Sequence, residues 1–253
     1  MNTTANTAPA TNAGGPSTAL VTGATSGIGK EIARQLAAQG WNVLLGARDR
    51  ARGEQAAAEV GGAVLPLDVT DADSVAAAAA AVPALDVLIN NAGISLDIAD
   101  VITDVDVDVF RRTYETNVFG VVAVTNAFAP ALRRSAHPRI VNISSGTGSL
   151  TWSTGPNPQF DHVAASSGRG AAYRSSKAAL DGLTIFYAHA LAADGVKVNA
   201  LAPGLRATNL NPRAAAAAGD PAEAAEGAVR LATLPDDGPS GLLFSWDGTV
   251  APW

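Results

Sequence analysis

The chain has 253 residues, a formal net charge of −6, and 47% hydrophobic against 16% charged residues, which is the make-up of a globular protein long enough to bury a full core. The negative balance argues against a nucleic-acid backbone or an anionic membrane surface as the main partner and favours a small-molecule ligand. There is no cysteine, and His137, His162 and His189 stand far apart, so disulfides, a cysteine nucleophile and a short metal-binding motif are excluded and no metal is expected.

Residues 1–16 are mostly Ala, Thr, Asn, Gly and Pro without a basic start or an apolar stretch, so they read as a disordered tail rather than a secretion or transit signal. From Thr18 onward, short apolar runs alternate with longer helical patterns. Strands are predicted at Thr18–Thr22, Trp41–Gly46, Ala63–Leu67, Leu85–Asn90, Arg139–Ser144, Val196–Leu201 and Gly241–Ser245. Helices are predicted at Ile28–Gln39, Ala51–Val60, Ser74–Ala81, Asn117–Arg133 and Ala171–Ala192. This alternation is that of βαβ units, so residues 17–253 are expected to form one doubly wound α/β domain, with a mainly parallel seven-stranded sheet and helices on both faces. The longest mainly apolar run, Val118–Leu132, carries Thr125, Asn126 and Pro130. It is too short to cross a bilayer comfortably and reads as a buried helix. With no export or membrane signal, the expected compartment is the cytoplasm.

The first motif with chemical content is Thr22-Gly23-Ala24-Thr25-Ser26-Gly27-Ile28-Gly29, between the first strand and the first helix. Glycines there let the chain turn tightly and let a pyrophosphate approach the backbone, while free N–H groups at the helix start favour its negative charge. The spacing is Gly-x-x-x-Gly-x-Gly, not the commoner Gly-x-Gly-x-x-Gly.

Further motifs follow in order: Asp68-Val69 after the third strand, Asn90-Asn91-Ala92-Gly93, Asn117, Ile143-Ser144-Ser145, Tyr173 with Lys177, and Pro203-Gly204 with Thr208. Together with the glycine loop they resemble the short-chain dehydrogenase/reductase family, over essentially all of Thr18 to Trp253. The closing stretch, Asp236–Gly241 through Pro252-Trp253, resembles the carbonyl-reductase branch of that family.

The resemblance implies a Rossmann fold binding a nicotinamide dinucleotide and an enzyme that moves hydride between the nicotinamide and a carbonyl or alcohol carbon. It further implies that Lys177 also holds the nicotinamide ribose, that Ser145 bonds the substrate oxygen and that Asn117 positions water in the proton path. It places Gly23, Thr25, Ser26, Gly27, Ile28 and Gly29 around the pyrophosphate. Asp68 and Val69, with Asn90, Ala92 and Gly93 mainly through their backbone, would lie on the adenosine side. Pro203, Gly204 and Thr208 would meet the nicotinamide half. Many relatives carry valine two residues before that threonine; here Arg206 stands there and reads as facing solvent.

Tyr173 and Lys177 are four residues apart and therefore project from one helix face. A nearby ammonium stabilises a phenolate and draws a tyrosine down from its usual value near ~10 toward the range of proton exchange, which makes Tyr173 the acid for carbonyl reduction.

Ala47-Arg48 closes the second strand, at the interval after Gly29 where dinucleotide folds recognise the ribose. NAD-preferring relatives usually hold an acid at the Ala47 position. Ala47 removes that obstacle and Arg48 offers a permanently charged planar fork to a 2′-phosphate, so NADP is predicted over NAD. The bland reading has Arg48 pairing with solvent or Asp49, and Ser26 stands where some NADP binders carry a second basic residue. An NAD-dependent alcohol or sterol dehydrogenase is the alternative that Ala47 argues against. A non-catalytic dinucleotide sensor is the one that Tyr173 and Lys177 argue against.

Two expectations concern shape. The helices at Asn117–Arg133 and Ala171–Ala192 would pair with a second copy to give a dimer or tetramer, although the carbonyl-reductase branch often covers that surface with an insertion. Ser145 and Tyr173 are 28 residues apart, longer than the family's compact form, so Thr151–Gly170 reads as an inserted irregular loop at the pocket mouth. Trp152 and Phe160 would offer apolar surface to the substrate, and His162 would be an exposed loop residue.

Overall fold

The computed structural model describes residues 15–157 and 167–253. The tail, Phe160 and His162 named above therefore lie outside the described residues, apart from positions 15 and 16.

Eight strands form one sheet in the order β3-β2-β1-β4-β5-β6-β7-β8. They are β1 (Thr18–Thr22), β2 (Asn42–Ala47), β3 (Ala63–Pro66), β4 (Val87–Asn90), β5 (Arg139–Ile143), β6 (Lys197–Ala202), β7 (Leu243–Ser245) and β8 (Val250–Ala251). The first seven are parallel, and β8 returns antiparallel beside β7. The seven parallel strands are those predicted, within one or two residues at each end. The two-residue β8 has no periodicity to reveal it. Its return is made by the turn at Asp247, whose carboxylate accepts from the Thr249 N–H at 3.0 Å and the Thr249 hydroxyl at 2.7 Å, a local Asx arrangement.

Helices cover both faces: α1 (Gly27–Ala38), α2 (Arg50–Val60), α3 (Ala72–Ala81), α4 (Val107–Tyr114), α5 (Gly120–Leu132), α6 (Leu150–Thr154), α7 (Ala171–Ala190), α8 (Pro212–Ala215) and α9 (Pro221–Ala232). Alternate residues of each central strand feed opposite cores. Val21, Ile89 and Val141 pack with Ile32 and Leu36 of α1 and Val229 of α9. Leu20, Leu88 and Ile140 pack with Phe128 and Leu132 of α5 and Val75 of α3. Burial on both sides explains why these strands read as unbroken apolar runs rather than alternating ones.

The strand order turns outward in both directions at β1 and β4. A ligand crevice is expected at the carboxyl ends of strands at such a switch point. Among the described residues, no helix is long and apolar enough to cross a membrane and no cluster of His, Asp and Glu could hold a metal.

Candidate active site

A cavity of about 430 Å³ opens at that switch point. Gly23, Thr25, Ser26, Gly27, Ile28 and Gly29 line it beneath the amino end of α1, Arg48, Asp68 and Val69 line it toward β2 and β3, and Ala92, Gly93, Tyr173, Lys177, Pro203 and Thr208 close the other end.

The glycine loop is shaped by close approach. Gly23 has φ +64°, and a Cβ on it would lie 2.9 Å from Ala92 Cα, so both conformation and space demand glycine. A Cβ on Gly29 would lie 2.7 Å from the Gly23 carbonyl oxygen and 2.3 Å from Asn91 Nδ2, so α1 can sit this close to the loop only without a side chain there. Lys30 N–H is the first to bond back into the helix, to Ser26 O at 3.3 Å. The N–H groups before it are the unpaired donors of a helix start, aimed where an anion would be held. A dinucleotide pyrophosphate fits this arrangement.

Two predicted cofactor residues do not reach the cavity. Asn90 is buried and its amide donates to Thr125 Oγ1 at 3.1 Å and to Asn142 Oδ1 at 2.9 Å, because a side chain at that register points into the sheet-helix layer. Its neighbour Asn91 takes the wall instead, donating to Thr22 O at 2.9 Å and Gly23 O at 3.2 Å. Gly204 has φ +71° and turns the chain away from the cavity, with room for a Cβ blocked by Trp246 at 3.2 Å.

At the other end of the cavity, α7 brings Tyr173 and Lys177 together. Lys177 is buried, with Nζ donating to Ile143 O at 2.8 Å and lying 5.8 Å from the centre of the Tyr173 ring. Enclosure pushes the Tyr173 phenol up to about 12, opposed by a hydrogen bond with Ser145. Burial pushes the Lys177 ammonium down to about 8. The predicted lowering of the phenol is therefore overturned: desolvation of the charged form outweighs its partners. Ser145, rather than Ser144, faces Tyr173. Ser144 turns the other way, to Asp181 Oδ1 at 2.5 Å.

Asn117 sits in a five-residue π-helical segment, Glu115–Phe119, between α4 and α5. Its side chain is fully buried, accepts from Ile94 N–H at 2.9 Å, and donates to Ile94 O and to Ser176 Oγ, each at 2.9 Å. It thus braces the loop after β4 against α7. A single-turn π-bulge at this point turns the amide inward.

The end of β2 holds a residue that pattern reading overlooked. Arg52 lines the cavity beside Arg48. Asp49 caps α2 by accepting from the Arg52 N–H at 3.1 Å, and the cap sets Arg52 in the first helical turn. Gly53 then lets α2 lie against Ala47, to which a Cβ would approach within 2.9 Å. Among the described residues, neither Arg48 nor Arg52 joins an ion pair. The signal was available in the spacing from Asp49, a strong cap residue.

Two further expectations are corrected. Arg206 does not face solvent: it is 7% exposed, donates through Nε to Pro203 O at 2.9 Å, pairs with Glu223 at 2.9 Å and stacks 4.4 Å from the centre of the Trp246 ring. An arginine can be buried this way when its planar fork finds a carboxylate, a carbonyl and an aromatic face together. Trp152 is not in the cavity wall. It lies on α6, capped by Ser149, and packs with Ala200, Ala202, Leu243 and Ala251 at the far edge of the sheet, where its large apolar area finds a better place than an open mouth.

The short chain dehydrogenase family model matches residues 17–157 and 162–218. The chain belongs to this family. Galactitol 2-dehydrogenase (L-tagatose-forming) of Cereibacter sphaeroides is 34% identical over 256 residues, which covers 93% of this chain and 95% of that protein. The NADPH-bound carbonyl reductase from chicken fatty liver superposes with a TM-score of 0.77 at 28% identity, covering 94% of this short-chain dehydrogenase and all of that one. A 3-ketoacyl-(acyl-carrier-protein) reductase from Brucella melitensis, complexed with NADH, also superposes at 0.77, with 25% identity and coverage of 91% and 96%. Family membership makes this chain an oxidoreductase built to hold a nicotinamide cofactor.

Proposed function

We propose that this short-chain dehydrogenase uses NADPH to reduce the carbonyl of a ketone, aldehyde or quinone, with Tyr173 as the proton donor. The observation that carries the reading is the pair of arginines, Arg48 and Arg52, neither of them in an ion pair among the described residues, beside Ala47, at the same cavity that Tyr173 and Lys177 line. The first turn of α2 holds Arg50 and Arg52 and no acid. Cations are disfavoured at a helix amino end, and an anion such as a 2′-phosphate met there relieves that cost.

Desolvation raises the Tyr173 phenol, so it is protonated at neutral pH, the form that a proton donor to a developing alkoxide needs. The nicotinamide supplies the hydride when bound. In this reading Ser145 bonds the substrate oxygen, Lys177 holds the ribose with its positive charge beside Tyr173, and Asn117 holds the loop geometry and a water for the proton path.

Exposed Phe119 and Phe186, near the start of α5 and on α7, support assembly through these helices into a dimer or tetramer. The experiment is a panel of ketones, aldehydes and quinones assayed with both reduced cofactors. NADPH oxidation that depends on a carbonyl compound, faster than with NADH, is the expected result. Equal rates or affinities for the two cofactors would sink the NADP reading.

A further inference from the structure

One turn beyond Lys177, the reacting face of α7 carries a third ionisable side chain. Tyr173, Lys177 and Asp181 follow at intervals of four, so they lie along one stripe of the helix. Asp181 is 4% exposed. Its Oδ1 accepts from Ser144 Oγ at 2.5 Å, and Ser144 is the residue before Ser145 at the end of β5. Its Oδ2 is buried without a hydrogen-bond partner. The turn at Gly146–Gly148 closes over that oxygen: a Cβ on Gly148 would stand 2.7 Å from Oδ2 and 3.0 Å from Lys177 Cβ, leaving no room for a side chain between them.

A carboxylate with one oxygen unbonded in a dry interior is costly, and such a group is retained where a nearby charge answers it. Lys177 is the charged side chain that acts on Asp181; β5 contributes the Ser144 hydroxyl and the Gly146–Gly148 turn only backbone. No ion pair or hydrogen bond joins Asp181 to Lys177, whose Nζ is spent on Ile143 O. Their attraction therefore runs through space in a medium that screens it weakly.

We propose that Asp181 is a positioning residue that acts on the reaction through Lys177, its buried carboxylate supplying the countercharge that keeps the Lys177 ammonium beside Tyr173. Burial opposes the ammonium and Asp181 supports it. Asp181 itself is pushed up to about 7 by burial, with Ser144 and Lys177 pulling it back. It also opposes ionisation of Tyr173. Removing the carboxylate thus lowers the titration of both the ammonium and the phenol, and a reduction that needs both groups protonated loses activity at lower pH. The role in catalysis rests on the reading of Tyr173 and Lys177 as the reacting pair, whereas the countercharge does not.

The chain has three lysines, Lys30, Lys177 and Lys197, so lysine labelled with carbon-13 at Cε gives three resonances, and the one lost in Lys177→Arg belongs to Lys177. In the wild type it titrates near 8. Asp181→Asn keeps the volume and the Ser144 bond, and lowers the Lys177 titration by about one unit. Ser144→Ala frees Asp181 to hold its proton to higher pH and lowers the Lys177 titration by less. Because Ser144→Ala removes a single oxygen, it decides the matter should Asp181→Asn fail to fold. A Lys177 titration unmoved in both variants overturns the countercharge.

With a carbonyl substrate, the basic limb of kcat/KM for reduction moves to lower pH in step with Lys177. A limb that stays in place while kcat falls at every pH overturns the catalytic role. If the wild type reduces no carbonyl compound, the proposed function fails, and the resonance titration still judges Asp181 by itself.

Discussion

Arg52→Ala removes one of the two cations beside Ala47. A hydrogen bond to a charged group contributes about 1.5–3 kcal/mol, and 1.4 kcal/mol corresponds to about tenfold in affinity. Both arginines are exposed, so water competes with each and the lower end applies: about tenfold weaker NADPH binding for Arg52→Ala and a similar loss for Arg48→Ala. The two share one phosphate, so the double variant falls short of the ~100-fold that independent effects would give. NADH lacks the phosphate and its affinity stays within about twofold, since neither substitution touches the glycine loop. Titrating each variant with both reduced cofactors, following nicotinamide fluorescence, measures all of these constants. A parallel loss of NADPH and NADH affinity, or no loss at all, would refute the assignment of these arginines to the 2′-phosphate.

Three other outcomes follow from the packing. Trp152→Ala opens a void against Ala200, Leu243 and Ala251 and costs about 3–5 kcal/mol of stability, read by urea unfolding; a raised Michaelis constant at unchanged stability would return Trp152 to the substrate wall. Gly29→Ala forces its methyl toward the Gly23 carbonyl at 2.7 Å, so NADPH and NADH affinity should fall together by at least about tenfold, the loss of one charge-assisted hydrogen bond, and selective loss of either would contradict the loop geometry. Phe186, 70% exposed on α7, should anchor the assembly, so Phe186→Asp yields a monomer in light scattering from a wild type that is larger; a monomeric wild type would end that proposal.

The sheet was legible in the sequence because it leaves a dense local trace, and the residues that line the cavity because their motifs fall in a recognisable order. The buried parallel strands are apolar on both faces, whereas Tyr173 and Lys177 stood out through the ordered motifs by which the sequence resembles the family, helical spacing adding only that they share a face. What escaped depended on tertiary context. Neighbouring asparagines alternate faces, so Asn91 rather than Asn90 meets the cavity once the register of β4 is known. Arg206 looks like a solvated loop cation until Glu223, Trp246 and the Pro203 carbonyl converge on it from three other segments. Trp152 was assigned by nearness in sequence to Ser145, whereas α6 carries it over to β7 and β8. Helix α4, polar with Asp108, Arg111 and Arg112, was not predicted, and it runs through the π segment into α5 with nothing in the periodicity to mark the bulge that turns Asn117 inward. The predicted drop in the Tyr173 titration failed for a different reason: spacing shows a neighbouring charge, but not that desolvation outweighs it.

The central claim is that Tyr173 delivers a proton to a carbonyl oxygen at a site that holds NADPH. Tyr173→Phe removes one oxygen at a position on α7 where the backbone and the Lys177 bond to Ile143 are untouched. Single-turnover oxidation of bound NADPH by a carbonyl substrate should slow by about a hundredfold or more, the usual worth of a general acid, with NADPH affinity unchanged. A variant that turns over at near wild-type rate would contradict the account.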